Sequence, residues 1–197
     1  KKQTSEFPDW AWADFQRPEG INPIVSPDTT TVFYCPMRQD SVAWESSDTF
    51  NPAATIYDGK VVVLYRAEDN SAVGIGSRTS RLGYAYSDDG LHFNRMTVPV
   101  FYPADDNQKE LEWPGGCEDP RVAVTDDGLY VMLYTQWNRK QTRLAVATSR
   151  DLQIWEKYGP AFAKAYGGRF FDEFSKSASI VTKLVDGKQV IAKIDGK

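Results

Sequence analysis

The sequence predicts an all-β protein built like a β-propeller. From residue 51 onward, short β-type runs alternate with turn signals, and the runs recur in units of four. The first hairpin of each unit turns at an Asp-Gly pair, because glycine accepts the positive φ that a tight hairpin turn requires. Four-stranded units that repeat every ~40–50 residues are typical of propeller blades.

The N-terminal segment, residues 1–50, precedes the repeats. Pro, Asp and Trp are scattered through it without a strand or helix period. This pattern predicts an extended, helix-poor segment that wraps the domain. Residues 51–197 then form a partial propeller domain. The whole chain has 197 residues, 41% of them hydrophobic, which suits one domain or slightly more.

The blades follow in chain order. Residues 51–101 form the first unit, residues 118–162 the second, and the third begins at residue 176 with "KSASIVTKLVDGK". A propeller needs at least about four blades to close its ring. The sequence therefore predicts two blades and the start of a third. The remaining blades are expected from further C-terminal residues or from another chain.

The second hairpin of each complete unit turns at an S-x-D motif that is followed by an aromatic residue. The two sets are Ser87, Asp89 and Phe93, and Ser149, Asp151 and Trp155. The motif resembles the Asp-box of sialidase-type propellers, in which Asp and Ser side chains bond backbone amides of the turn while the aromatic ring packs beneath. A structural role is predicted for both motifs, and a catalytic role for neither.

Charge and hydropathy exclude several classes of partner. The net charge is −4, the pI is about 5.1, and the basic residues form no stripe, so a duplex nucleic-acid partner is not expected. No apolar run approaches the ~18 residues of a membrane span. The opening "KKQTSEFPDW" has no signal peptide but would suit a mature end left after signal removal. Localisation stays open, with a periplasmic or secreted bacterial protein among the alternatives.

The scarcity of histidine and cysteine limits the chemistry. His92 is the single histidine and lies in the first S-x-D turn, where a surface role is predicted. A Ser-His-Asp triad or a His-rich metal site is therefore not expected. Cys35 and Cys117 lack metal-ligand spacing, and the sequence leaves open whether they pair.

Three polar residues stand near the starts of the first strands of successive units: Asn51, Asp119 and Ser177. The innermost strand of a propeller blade faces the central channel. Polar groups at equivalent places in successive blades would converge on one axial pocket, which suits a sugar site. The alternative is that each residue caps the end of its strand.

Asp119 stands in the motif "GCEDPR". Pro120 is expected to hold it extended, because proline restricts the residue before it. Neighbouring Glu118 would raise the pKa of Asp119 by like-charge repulsion, and Arg121 would lower it. Strand alternation places Asp119 and Arg121 on one side, so a simple ion pair between them is the alternative.

Four further cations are candidates for substrate contacts. Arg66 follows the apolar residues of "VVVLYRAED". The N–H donors of its guanidinium group are expected to reach a carboxylate, a sugar hydroxyl or a phosphate. The alternative is a structural pair with Glu68 or Asp69. Arg81, together with Arg78, could reach a substrate from "GIGSRTSRLG". Lys176 in "FSKSAS" could serve an anion or a hydroxyl.

The motifs "NPAAT", "VLYRAED", "SRLGYAYSDDGLHF", "GGCEDPRV", "LAVATSRDLQIWEKYGP" and "SKSASIVTKL" together resemble glycoside hydrolase family 130, from about Phe15 to the end of the chain. The resemblance implies a five-bladed β-propeller that cleaves β-linked mannosides with inversion. It implies no metal and no organic cofactor, and inorganic phosphate as co-substrate if the protein is a phosphorylase. An oligosaccharide is the implied partner.

The resemblance also implies roles for residues. The proton donor of the family is the aspartate of E-D-P-R, which corresponds to Asp119, and its proton is proposed to pass through a mannose hydroxyl. The predicted substrate-binding residues are Asn51, Arg66, Arg81, Glu118, Arg121, Lys176 and Ser177.

Two branches of the family remain open, as does a third alternative. An inverting hydrolase needs a second carboxylate ~6.5–9.5 Å from the acid to activate water, whereas a phosphorylase needs a cationic pocket for phosphate. The motifs "SPDTTTVFYCPM" and "SKSASIVTKLVDGK" resemble the hydrolase-like members of the family more closely than the phosphorylases. A hydrolase is therefore the favoured prediction. The alternatives are a phosphorylase and a non-catalytic glycan-binding propeller.

Overall fold

Two four-stranded antiparallel units form the body of the protein. The structure, a computed structural model, describes residues 17–196, so the first 16 residues of the predicted N-terminal segment lie outside the described part. The strands of the first unit are β3 (Asp48–Tyr57), β4 (Lys60–Glu68), β5 (Ser80–Ser87) and β6 (Asn94–Arg95). Those of the second are β7 (Gly116–Val124), β8 (Tyr130–Trp137), β9 (Thr142–Ser149) and β10 (Glu156–Pro160). In each unit, consecutive strands pair.

The smaller elements lie around these units. A hairpin of β1 (Phe33–Cys35) and β2 (Asp40–Val42) precedes them, so the N-terminal segment is not wholly irregular. A short helix, α1 (Lys109–Glu112), and a 3₁₀ turn (Ala165–Gly168) follow the first and second units. A third unit begins with the hairpin of β11 (Thr182–Val185) and β12 (Lys188–Ile191).

The predicted turns form as expected. Asp58 and Gly59 both have positive φ, at 49° and 73°, in the two-residue loop between β3 and β4, as a primed hairpin turn requires. Asp186 and Gly187 repeat this geometry in the third unit. The Asp-Gly signal thus gives the correct first hairpin in the first and third units.

Both S-x-D motifs have the predicted bonds. The Asp89 carboxylate accepts hydrogen bonds from the backbone N–H groups of Leu91 and His92, each at 2.8 Å. The Asp151 carboxylate accepts from Gln153 and Ile154 at 2.9 and 2.8 Å. The serine hydroxyl of each motif accepts two further backbone N–H groups. The motifs therefore fix outer turns, and His92 is an exposed part of the first.

The core has two clusters. The larger lies between the two units and contains Leu64, Leu82 and Met132, each almost wholly buried. The smaller packs the β1–β2 hairpin and Trp44 against the other face of the first unit. Cys117 belongs to the larger cluster and Cys35 to the smaller, and both are free thiols. The fold thus resolves the open question of their pairing.

The units meet where β5 and β7 run parallel, with Ser80 opposite Gly116. Gly116 has a φ of 116°, and a Cβ there would lie 2.1 Å from the Ser80 carbonyl oxygen, so only glycine fits this contact. β12 pairs in parallel with β7 at Val124. Within residues 17–196 the sheet does not close into a ring, and no helix there is long and apolar enough to cross a membrane.

Candidate active site

A backbone bulge recurs at the start of the inner strand of each unit. The pairing register shifts between Phe50 and Ala53 in β3 and between Glu118 and Arg121 in β7. Asn51 and Asp119 sit at these bulges with φ of 44° and 50°.

Ser177, the third predicted residue, lies before β11 and has a φ of 49°. The three residues thus share a left-handed backbone conformation, which Asn and Asp tolerate better than most residues. The expectation that Pro120 holds Asp119 extended is therefore wrong: proline disfavours the right-handed helical region for the preceding residue, and the bulge places Asp119 in the left-handed one.

The bulges bring Asn51 and Asp119 together across the two units. The Asn51 amide nitrogen donates a hydrogen bond to Asp119 Oδ1 at 3.0 Å. Arg66 Nη1 donates to the same oxygen, also at 3.0 Å. Residues far apart in the sequence thus converge on one carboxylate oxygen.

Arg66 is the buried centre of this group. Its Nη2 lies 2.6 Å from Glu68 Oε1 and 2.8 Å from Glu118 Oε1, and its Nε donates to Ser80 Oγ at 3.0 Å. Arg66 thus contacts three carboxylates of this chain, and its contact with a substrate stays a prediction. The structural pair considered as its alternative forms as well, with Glu68.

Lys176 approaches from the third unit. Its Nζ lies 2.8 Å from Glu118 Oε2 and 3.4 Å from Asp119 Oδ2, and its side chain is 43% exposed. The cation therefore covers the two carboxylates from the solvent side. We call Asn51, Arg66, Glu68, Glu118, Asp119 and Lys176 the Asp119 cluster.

The two adjacent carboxyl groups have opposite pKa shifts. Burial raises the pKa of Glu118, and the charges of Arg66 and Lys176 only partly offset this. Burial also acts to raise the pKa of Asp119, but the hydrogen bond from Asn51 and the charge of Arg66 outweigh it, so its pKa lies below the ordinary value of 3.8. In this state of the site Asp119 is an anion, and Glu118 takes up a proton more readily than an exposed glutamate.

Arg121 does not join the cluster. It donates a hydrogen bond to the carbonyl oxygen of Pro120 at 2.7 Å. The ion pair with Asp119, which was the alternative for Arg121, is not among those within residues 17–196, because the bulge interrupts the strand alternation on which it depended. The hydrogen bond from Asn51 and the charges of Arg66 and Lys176 lower the pKa of Asp119.

Arg81 lies on the opposite face of the first unit. It is fully buried, pairs with Asp69 at 2.8 Å, and stacks over Phe33 with its guanidinium carbon 5.2 Å from the ring centroid. Arg81 pairs with Ala67, whereas Leu82 pairs with Arg66, so Arg81 points to the face away from Arg66. Its predicted contact with a substrate beside Arg66 is therefore not supported. Ser177 shares the backbone conformation of Asn51 but is exposed.

Sequence reasoning missed two polar side chains at the site. Ser80 accepts from Arg66 and donates to Glu68 Oε1 at 3.2 Å. Thr135 lies opposite Glu118 on β8, and its hydroxyl is buried without a hydrogen-bond partner in the described part of the chain. Alternation along β4 could have placed Glu68 beside Arg66, but the cross-strand partners have no local signal.

Comparisons with known proteins show the family to which this chain belongs. The family model described as β-1,4-mannooligosaccharide phosphorylase, glycoside hydrolase family 130, matches residues 16–197. The chain belongs to glycoside hydrolase family 130. A 1,2-β-oligomannan phosphorylase of Thermoanaerobacter sp. (strain X514) is 36% identical over 152 residues, covering 75% of this chain and 46% of that protein. The chain spans about half the length of the curated relatives it matches.

Solved structures match over nearly the whole chain. A glycosidase candidate from Bacteroides thetaiotaomicron VPI-5482 is 99% identical, with a TM-score of 0.94 over 98% of this chain and 55% of its own. Another, 68% identical with a TM-score of 0.95 over 98% of this chain and 54% of its own, comes from work on family 130 hydrolases that target β-1,2-mannosidic linkages in Candida mannan. These likenesses support a β-propeller-like fold for the all-β units.

Proposed function

We propose that this chain supplies the acid side of an enzyme that cleaves β-mannosidic linkages with inversion, and that Asp119 is its proton donor. The observation that carries the proposal is the convergence on Asp119. Two units and the start of a third place Asn51, Arg66 and Lys176 around one buried carboxylate, and the lysine among them is 43% exposed. The names of the relatives, a β-1,2-oligomannan phosphorylase and hydrolases of β-1,2-mannosidic linkages, point to the same substrate class.

In the proposed reaction Asp119 gives its proton to a mannose hydroxyl, which passes its own proton to the glycosidic oxygen. The bond between that oxygen and the anomeric carbon breaks, and the leaving sugar departs as a neutral alcohol. An oxygen of water or of phosphate forms the new bond on the opposite face of the anomeric carbon. In hydrolysis a second carboxylate takes the proton from water, and we assign no described residue to that role.

The lowered pKa of Asp119 has a consequence for this mechanism. An anionic Asp119 must take up a proton before it can donate one. A bound sugar would exclude water and draw hydrogen bonds of Asn51 and Arg66 towards its own hydroxyls, and both changes raise the pKa of a carboxyl group. Substrate binding would thus prepare the acid.

We also propose that the complete fold is a five-bladed propeller, of which this chain forms two blades and the start of a third. The remaining blades would supply either the base or the phosphate pocket. We favour the hydrolase, because the 68% identical structure comes from work on hydrolases. The 36% identical phosphorylase keeps phosphorolysis as the second candidate.

The test is Asp119→Asn in the full-length protein, assayed on β-1,2-mannobiose with and without phosphate. The expected loss in kcat is ~10²–10⁴-fold, the usual contribution of a positioned general acid. Free mannose as the product identifies a hydrolase, and mannose 1-phosphate a phosphorylase. Undiminished turnover by the variant would exclude Asp119 as the donor.

The matched control is Asp69→Asn. Asp69 is a buried aspartate paired with Arg81 on the opposite face of the same unit. It tests whether loss of any buried aspartate has the same effect. Saccharide binding by the wild type without any turnover would favour the non-catalytic glycan-binding alternative instead.

A further inference from the structure

The guanidinium group of Arg66 is held along one edge. Its Nε donates a hydrogen bond to Ser80 Oγ at 3.0 Å, and its Nη2 donates to Glu68 Oε1 at 2.6 Å. The Ser80 hydroxyl in turn donates to the same Glu68 oxygen at 3.2 Å. These bonds close a ring, which we call the Arg66 clamp, and the guanidinium plane cannot turn without breaking one of them. The remaining nitrogen, Nη1, is thereby left for Asp119 Oδ1.

Strand pairing brings the parts of the Arg66 clamp together. Glu68 follows Arg66 by two residues on β4, so both side chains lie on one face. Ser80 is the cross-strand partner of Glu68, and its backbone N–H donates to the Gly115 carbonyl at 2.8 Å. Phe50, the partner of Arg66 on β3, has its ring centroid 4.5 Å from the guanidinium carbon. The arginine is therefore supported along its edge and over its flat face.

Glu68 is closed to solvent. Its side chain is 0% exposed, and its second oxygen, Oε2, is buried without a hydrogen-bond partner in the described part of the chain. Arg78 Nη1 lies 3.6 Å from that oxygen. A substrate could not contact Glu68 without displacing the groups that enclose it, so an effect of Glu68 on Asp119 has to pass through Arg66.

One arginine serves three carboxylates. Arg66 contacts Glu68 and Glu118 through Nη2 and Asp119 through Nη1. Loss of the Glu68 charge would leave more of the arginine charge to Asp119, and a nearby cation lowers the pKa of a carboxyl group. Further charged groups face these carboxylates from the neighbouring segments: Lys176 beside Glu118 and Asp119, and Arg78 with its partner Asp48 beside Glu68.

We propose that Glu68 is a positioning residue for the proposed acid: it holds Arg66 so that Nη1 meets Asp119, and its charge limits how strongly Arg66 acts on that carboxyl group. This inference rests on the proposed function. The role requires no contact between Glu68 and the substrate. The competing explanation is a buried ion pair that only stabilises β4, and the experiments below separate the two.

The first variant is Glu68→Gln in the full-length protein, assayed on β-1,2-mannobiose across a range of pH. Glutamine keeps an oxygen for Arg66 and Ser80, and its amide nitrogen replaces Oε2, which has no hydrogen bond to lose. The clamp is thus kept while the charge is removed, and kcat at its pH optimum should stay close to that of the wild type. The fall of kcat at high pH reports the acid in the enzyme–substrate complex, and it should move about one pH unit lower. An unmoved pH profile would overturn the proposal.

The second variant, Glu68→Ala, removes the clamp itself. Arg66 can then turn away from Asp119, and kcat per folded molecule should fall about 10²-fold, as expected for a misplacement of about 1 Å. The matched control is Asp69→Asn, which removes the neighbouring buried carboxylate, paired with Arg81 on the opposite face, and should leave the pH profile unmoved. If Glu68→Ala lowers only the stability and keeps kcat, Glu68 is structural and the proposal is overturned. If the alanine variant does not fold, the pH profile of Glu68→Gln decides.

A stability measurement separates this inference from the proposed function. Full turnover by Asp119→Asn would refute the proposed function, but urea unfolding would still detect the Asp119 carboxyl group. Its folded-state pKa lies below 3.8, so its contribution to stability is present above that pH and is lost as the pH falls through the folded pKa. Comparison of Glu68→Gln with the double variant Glu68→Gln/Asp119→Asn gives this contribution without the Glu68 charge. It should be lost about one pH unit lower than in the same comparison with Glu68 present, and loss at an equal or higher pH would overturn the proposal.

Discussion

The chain contains two buried ionic networks that use similar residues in different ways. In the outer network, Glu112 of α1 accepts a hydrogen bond from Tyr134 at 2.8 Å and pairs with Lys157, whose side chain is only 10% exposed. In the Asp119 cluster, the lysine that pairs with Glu118 is 43% exposed. One lysine is enclosed by protein, and the other is open to solvent.

The backbones of the two networks differ as well. Glu112, Tyr134 and Lys157 sit on regular elements, and none of them has positive φ. Asn51 and Asp119 sit at bulges in the left-handed region, a conformation that is costly for most side chains and clusters at functional sites. The two networks therefore both bury charge, but they differ in the exposure of the lysine and in the backbone conformation of the residues around it.

The largest expected effect separates the two lysines. Lys157→Met leaves the Glu112 carboxylate buried without its cation, which should lower the free energy of unfolding by about 3–5 kcal/mol. Activity per folded molecule should stay close to that of the wild type. Guanidinium unfolding of the full-length protein, with activity measured on the folded fraction, checks both expectations.

Lys176→Met is the matched variant in the other network. Because this lysine is exposed to solvent, its loss should cost about 1 kcal/mol or less in the free energy of unfolding, while kcat/KM for β-1,2-mannobiose falls about 10²-fold. If Lys176→Met were as destabilising as Lys157→Met and left activity intact, the proposed difference between a structural Lys157 and a functional Lys176 would be contradicted.

A smaller effect tests the backbone at the bulge. Asn51→Gly and Asn51→Ala both remove the hydrogen bond to Asp119, but only alanine resists the left-handed conformation. The alanine variant should therefore be less stable than the glycine variant by about 1–2 kcal/mol. Thermal unfolding of both proteins measures the difference, and equal stability would show that the bulge is not maintained.

The smallest effect is a pair of opposite pH dependences. The folded-state pKa of Asp119 lies below 3.8, so its contribution to stability is present above that pH and is lost as the pH falls towards the folded pKa. The folded-state pKa of Glu118 lies above 4.5, so its contribution is present below that pH and is lost as the pH rises through the folded pKa.

Urea unfolding between about pH 3 and about pH 7 can resolve the two carboxyl groups. Asp119→Asn should flatten the acid limb of the stability curve, whereas Glu118→Gln should flatten the decline that begins above pH 4.5. If both substitutions changed the slope of stability against pH in the same direction, the opposite pKa shifts of Asp119 and Glu118 would be contradicted.

Local signals in the sequence predicted local structure well. The Asp58-Gly59 turn and the two S-x-D turns form as expected because their bonds lie within a few residues. Arg66 could be singled out because an arginine after an apolar strand needs a buried partner. The repeat placed Asn51 and Asp119 in equivalent positions.

What sequence reasoning missed depends on register. A bulge of one residue in β7 separates Arg121 from Asp119, and the pairing of Arg81 with Ala67 places its side chain on the face away from Arg66. Neither shift has a local signal, because the partner strand decides it.

The shared left-handed backbone at Asn51, Asp119 and Ser177 has a consequence for how such a protein can diversify. In each unit one polar side chain stands on a residue with positive φ, and in the two complete units that residue lies at a β-bulge. These positions hold the amide of Asn51, the carboxylate of Asp119 and the hydroxyl of Ser177. A single codon per unit thus sets the chemistry offered there, while the strands that carry it remain the same.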